Sequence, residues 1–156
     1  MEVIIFIGLQ GAGKSTFYQT HLATAHGYVS KDLLHRSKTM NKAAKQNTLV
    51  EEALRMGQSV VIDNTNPTRE DREPLIQLGH LYNATVIGYY FNTPVSECLI
   101  RNRERSGKAR VPDKVIYITS KKMTLPTFEE GFDTLFRVHT KNDGLFEVVD
   151  WRVNDE

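Results

Sequence analysis

Val3-Ile4-Ile5-Phe6-Ile7-Gly8-Leu9-Gln10-Gly11-Ala12-Gly13-Lys14-Ser15-Thr16 is the stretch from which the rest of the chain can be read. An apolar run rich in β-branched residues enters G-x-x-x-x-G-K-S, and residues with helical signals follow. Each residue type there has a mechanical reason in a phosphate cradle. Glycines let backbone N–H groups curl around phosphate oxygens, where a side chain would obstruct the turn or the anion. Lys14 has the length to reach β- and γ-phosphates, and the Ser15 hydroxyl is a ligand for Mg²⁺. A helix opening at this point turns its positive dipole end toward the nucleotide. Gly8, Gly11, Ala12, Gly13, Lys14, Ser15 and Thr16 are therefore the expected contacts to ATP.

Outward from this loop, strands and helices alternate. Residues 14–25 carry helical signals, with His26-Gly27 as their stop. Tyr28-Val29 reads as a short strand, and 39–56 as a helix with Leu49, Val50, Ala53 and Leu54 on one face. Residues 59–63 form a nearly continuous apolar strand, of the kind buried on both faces of a parallel sheet. A helix is predicted from near Pro67 to about Leu81, a strand over 84–91 and a helix over 94–104. Beyond Ser106-Gly107 comes a basic loop, and Val111-Pro112 opens another helix. Two strands, 135–139 and 145–149, join across Asn142-Asp143-Gly144. This order predicts an α/β fold: a mainly parallel sheet with helices on both faces and the nucleotide at the carboxyl ends of the strands.

Bulk properties narrow the class. The chain has 156 residues, enough for one domain with a real core, and no repeat or linker divides it. Hydrophobic residues at 40% and charged residues at 25% are ordinary globular values. No run has the length of a membrane span and the N-terminus lacks a basic leader, so a cytoplasmic, soluble enzyme is expected. One cysteine, Cys98 beside Leu99 and Ile100, rules out an internal disulfide and reads as a buried helix position. The five histidines show no zinc spacing, and Trp151 and the tyrosines at 28, 82, 89, 90 and 117 read mostly as core. Net charge is only +1, yet Arg101 to Lys122 holds eight basic residues against Glu104 and Asp113. Such a run reads as a solvated helix face on sign alone, and a place near a triphosphate shifts the reading toward phosphate contact.

Phosphoryl transfer needs positioned phosphates, neutralised charge and an oriented nucleophile. Asp63 closes an apolar strand and suits Mg²⁺ alongside Ser15; the competing reading makes it a cap for the next helix. Asn64 and Thr65, just beyond, offer polar groups to water or substrate. Asp32, at the end of the second strand, is the candidate general base, against an alternative as N-cap of Leu33-Leu34-His35-Arg36. Lys31, His35 and Arg36 either screen an anionic acceptor or are surface charges. Arg101 and Arg105 lie four apart on a predicted helix and so share a face. With the basic loop that follows, 101–112 has the make-up of a lid that closes over ATP.

Taken together, these motifs resemble the kinase domain of the polynucleotide 5′-hydroxyl kinases over most of residues 3–138. The resemblance rests on the phosphate loop, Val61-Ile62-Asp63-Asn64-Thr65-Asn66-Pro67, Arg101-Asn102 with Arg105, and Val111-Pro112 followed by Pro126-Thr127-Phe128-Glu129-Glu130-Gly131-Phe132. It implies a P-loop kinase fold and transfer of the ATP γ-phosphate to the 5′-hydroxyl of RNA or DNA. By the same resemblance, Lys14 and Ser15 hold phosphates and Mg²⁺, and Asp32 takes the hydroxyl proton. Asp63 orients metal-bound water or acceptor, and Arg105 with Arg101 bridges donor phosphates. Departures fall on the acceptor side: Lys31 stands where the family has arginine, and His35 where its phage member has another, with Arg36 displaced by one. No D-x-D-G-T phosphatase signature occurs, so the kinase half alone is expected. A small-molecule or nucleoside acceptor keeps the same chemistry, and a nucleotide-hydrolysing switch is a third reading.

Overall fold

Apolar on both faces, the run at the front becomes a central strand. In the computed structural model, which describes residues 1–34, 41–141 and 143–154, the strands are β1 (Glu2–Ile7), β2 (Gly27–Val29), β3 (Val60–Ile62), β4 (Thr85–Phe91), β5 (Thr134–Thr140) and β6 (Phe146–Asp150). They form one sheet in the order β2-β3-β1-β4-β5-β6. The first five are parallel and β6 returns antiparallel along β5. Helices among the described residues are α1 (Lys14–His21), α2 (Lys42–Arg55), α3 (Arg69–Leu81), α4 (Val95–Arg103) and α5 (Asp113–Lys122). The mainly parallel α/β architecture matches the expectation from sequence.

Side-chain alternation in β1 sorts the core into two layers. Val3, Ile5 and Ile7 pack with Val50 and Leu54 of α2 and Leu75 and Ile76 of α3. Ile4 and Phe6 face the other way, against Phe17 of α1, Cys98 and Leu99 of α4 and Ile116 of α5. Val3 through Ile7 are at most 1% exposed. Burying each such side chain stabilises the fold by roughly 1.5–3 kcal/mol, which anchors the loop that follows. No helix among the described residues is long and apolar enough to cross a membrane.

Several boundaries differ from expectation. α1 stops at His21 rather than 25, because Leu22 leaves helical geometry at φ −126°. In α2 the buried stripe is Gln46, Val50 and Leu54; Leu49, one position and about 100° away, is exposed. α3 opens at Arg69 because Thr68 and Asp71 make a capping box. α4 ends at Arg103, so Arg105 lies in the turn beyond it and does not share a helical face with Arg101. Asn102 sets that turn: it is buried, donates to Val111 O and accepts from Val111 N. Tyr117 is half exposed rather than core. His35 and Arg36, the candidate acceptor contacts, lie outside the described residues.

Candidate active site

The loop between β1 and α1 is shaped by two glycines. Gly13 caps α1 at φ 96° with no side-chain cap, and Gly11 sits at φ 81°. Both conformations disfavour other residues. Space excludes a side chain at Gly11 too, where a Cβ would lie 2.7 Å from Cys98 O, and one on Gly13 would crowd Arg101 Nη1 at 3.0 Å. Helix α4 thus presses directly on the cradle. Thr93 Oγ1 holds the loop from beneath by donating to Ala12 O.

Lys14 is buried inside this loop, where Nζ donates to Gly8 O at 2.8 Å and Leu9 O at 2.9 Å. Burial pushes its ammonium down to about 8, although Asp63, Cys98 and Asp32 pull the other way. An arriving phosphate would supply the missing countercharge.

Ser15 Oγ donates to Asp63 Oδ2 at 2.8 Å, and the Tyr28 phenol donates to the same oxygen. Burial and that bond raise the Tyr28 pKa, so the phenol keeps its proton. Asp63 does not cap the next helix, since Thr68 does. Ser30 caps the 3₁₀ turn Lys31–Leu33 by accepting from Asp32 N, and the alternative of Asp32 as cap of the segment through Arg36 falls partly outside the described residues. Beside it, Asn64 Oδ1 accepts from Lys31 N and Asn64 Nδ2 donates to Gln46. Thr65 O accepts from Gly8 N, tying this loop to the cradle.

Three hollows meet here. A recess of about 100 Å³ is lined by Lys14, Ser15, Tyr28, Asp32, Asp63 and Arg105, among others. A cleft of about 350 Å³ adjoins it, lined by Lys31, Asp32, Asn64, Thr65, Arg105, Lys108 and Lys122 with neighbours. Asp32 and Arg105 belong to both. A third hollow of about 330 Å³ lies across the loop between Gly13, Thr16, Arg101, Arg105, Thr140 and Phe146. In it the buried Thr140 hydroxyl has no hydrogen-bond partner. Arg101 and Arg105 thus meet at this hollow although only Arg101 is helical.

Sequence reasoning missed Tyr28 as a partner of Asp63, and Gln46, Lys122 and Phe146 as parts of the site. The first carried a partial signal: Tyr28 lies in β2, just ahead of the turn that holds Asp32. Gln46 and Phe146 carried none, because helix and strand patterns alone do not say what a distant side chain meets.

The AAA domain family matches residues 3–126, and the chain belongs to it. The chain is 31% identical over 147 residues to a bifunctional polynucleotide phosphatase/kinase of Schizosaccharomyces pombe, covering 90% of this chain. It spans only 34% of that relative's length. Among solved structures it is similar to a fungal RNA kinase, with TM-score 0.66 at 14% identity, covering 92% of this chain and 40% of that one. It is also similar to a gluconokinase from Sinorhizobium meliloti 1021, with TM-score 0.64 at 17% identity, covering 88% and 82%. The fold is that of the P-loop kinases.

Proposed function

We propose that this chain is an ATP-dependent kinase that phosphorylates the 5′-hydroxyl of a polynucleotide. One observation carries the reading: Asp32 lines both the phosphate recess and the larger basic cleft, so one carboxylate serves donor and acceptor. The acceptor oxygen attacks the γ-phosphorus while Asp32 takes its proton, and the bond to the β–γ bridging oxygen breaks to release ADP. Lys14 and the N-terminus of α1 hold the phosphates. Arg105, reaching the recess from the lid, stabilises charge on the transferring group, and Arg101 supports the donor. Lys31, Lys108 and Lys122 suit acceptor phosphates, and the hollow at Thr140 and Phe146 suits the base.

The donor set fits Mg²⁺. Ser15 Oγ and Asp63 are hard oxygen ligands beside the phosphate recess. Among the described residues no group of three His, Cys, Asp or Glu could cage an ion, which suits a metal completed by water and phosphate. When bound, the ion neutralises phosphate charge.

The polynucleotide relative supports the acceptor class. A second reading, a small hydroxyl acceptor, draws on the cleft volume of about 350 Å³, room for a single compact ligand. Incubation with γ-labelled ATP, Mg²⁺ and 5′-hydroxyl oligonucleotides, nucleosides or buffer alone separates them. Label in oligonucleotide is expected. Label only in small acceptors favours the second reading, and phosphate release without acceptor labelling makes the chain a hydrolytic switch.

A further inference from the structure

One charged pair lies outside this chemistry and is nevertheless wholly buried. The side chain of Arg72 in α3 is 0% exposed and that of Glu130 is 3% exposed. Their fork is bidentate: Nε to Oε1 at 2.7 Å and Nη2 to Oε2 at 3.2 Å. Arg72 Nη1 also donates to Asn66 O at 3.1 Å and Thr124 O at 3.0 Å. Glu130 Oε2 accepts further from Thr127 N at 2.8 Å.

Two buried charges cost several kcal/mol to desolvate, and an apolar pair of similar volume usually stabilises a fold as well or better. Stability alone is therefore a poor reason for Arg72. What an apolar pair could not do is grip the carbonyls of Asn66 and Thr124, two segments far apart in sequence. Those segments also meet directly, through Thr124 N donating to Pro67 O at 2.7 Å. Asn66 and Pro67 line the basic cleft, and so does Lys122 at the end of α5. The same loop reaches the cradle through Gly8 N to Thr65 O, and β1 through Asn66 Nδ2 to Phe6 O.

We infer that Arg72 and Glu130 are positioning residues for the acceptor: the pair locks the 63–67 loop against the segment after α5 and so sets the shape of the acceptor wall. This rests on the reading that the cleft takes the acceptor. Asn64 and Thr65 then face the incoming acceptor from a fixed backbone, so that freeing this backbone adds an ordering cost to acceptor binding.

The test is the full chain with Arg72→Met and Glu130→Met together. An apolar pair is expected to keep the melting temperature within about 5 °C of wild type. Affinity for a fluorescent ATP analogue stays within about threefold, while KM for a 5′-hydroxyl oligonucleotide rises about tenfold or more. Amide exchange at Gly8 and Thr124 accelerates about tenfold or more, because the loop opens locally. A loss confined to overall stability would move ATP affinity and acceptor KM together. Wild-type exchange at both amides in the folded double variant overturns the lock, whatever the acceptor proves to be. Faster exchange with an unchanged acceptor KM overturns its role in the cleft. Should the wild type label no oligonucleotide, the kinase reading falls and the exchange result still judges the lock. If the double variant does not fold, Arg72→Lys keeps the charge and removes the fork. It must show the same split at smaller size, and a wild-type acceptor KM with wild-type exchange would overturn the inference.

Discussion

The two walls of the basic cleft are held on opposite terms. The 63–67 loop is bonded outward in every direction: to Gly8, to Phe6, to Lys31, to Gln46 and to Arg72. The facing wall, 103–110, bonds mostly to itself. Arg105 Nη1 donates to Ala109 O at 3.3 Å and Arg110 N to Gly107 O at 3.2 Å, with one exposed ion pair between Arg103 and Asp113. Its base is pinned where Asn102 and Val111 exchange hydrogen bonds. On the proposed reading, the wall that holds the acceptor in line is the one tied to the core, and 103–110, with its bonds internal, is the one free to open as a lid.

The largest expected effect tests the fixed wall. Asp32→Ala should lower phosphate transfer by on the order of 10²–10⁴ while ATP still binds, as a titration with fluorescent nucleotide would show. Transfer at the wild-type rate would remove Asp32 from the reaction. Next comes the movable wall. Arg105→Ala should lower kcat by roughly tenfold to a hundredfold, with little change in acceptor KM. If acceptor KM rose instead and kcat held, Arg105 would belong to the fixed wall and the contrast would fail. Smaller again is Asn102→Ala, which leaves the Val111 backbone without its partners and should cost roughly 1–3 kcal/mol in denaturant unfolding. Proteolysis within 103–110 should then quicken at unchanged ATP affinity.

What could be read from the residues alone is the part of the molecule built by local chemistry. Glycines, lysine and serine at fixed spacing, an apolar strand ending in Asp63 and a basic loop after a helix each declare themselves within a dozen residues. The helical register of Arg105 did not, because the break after Arg103 depends on Asn102 meeting Val111 nine residues on. Likewise the Tyr28 bond to Asp63 spans 35 residues and the Arg72 bond to Glu130 spans 58. A tyrosine in a strand and an arginine in a helix look like any others until the fold brings their partners. The acidic turn after Pro126 was legible only as a likeness, and its physical content is a counter-ion for Arg72.

The smallest effect locates where the movable wall begins. Cys98 lies in α4, fully buried, with its backbone carbonyl pressed against Gly11. Burial pushes its thiol up to about 11, against weaker opposing pulls from Lys14 and Arg101. Near neutral pH little of the thiolate, which is the reactive form, is then present. Modification by an aromatic disulfide reagent should therefore be very slow in the native chain and fast once it is unfolded. Raising pH toward 11 should speed the native reaction as the thiolate fraction grows. A nucleotide analogue that closes the lid should leave this slow rate unchanged if only the turn after Arg103 moves. A marked further slowing would mean that the body of α4 swings with Arg105, and that the boundary between fixed and movable walls lies a full helix earlier.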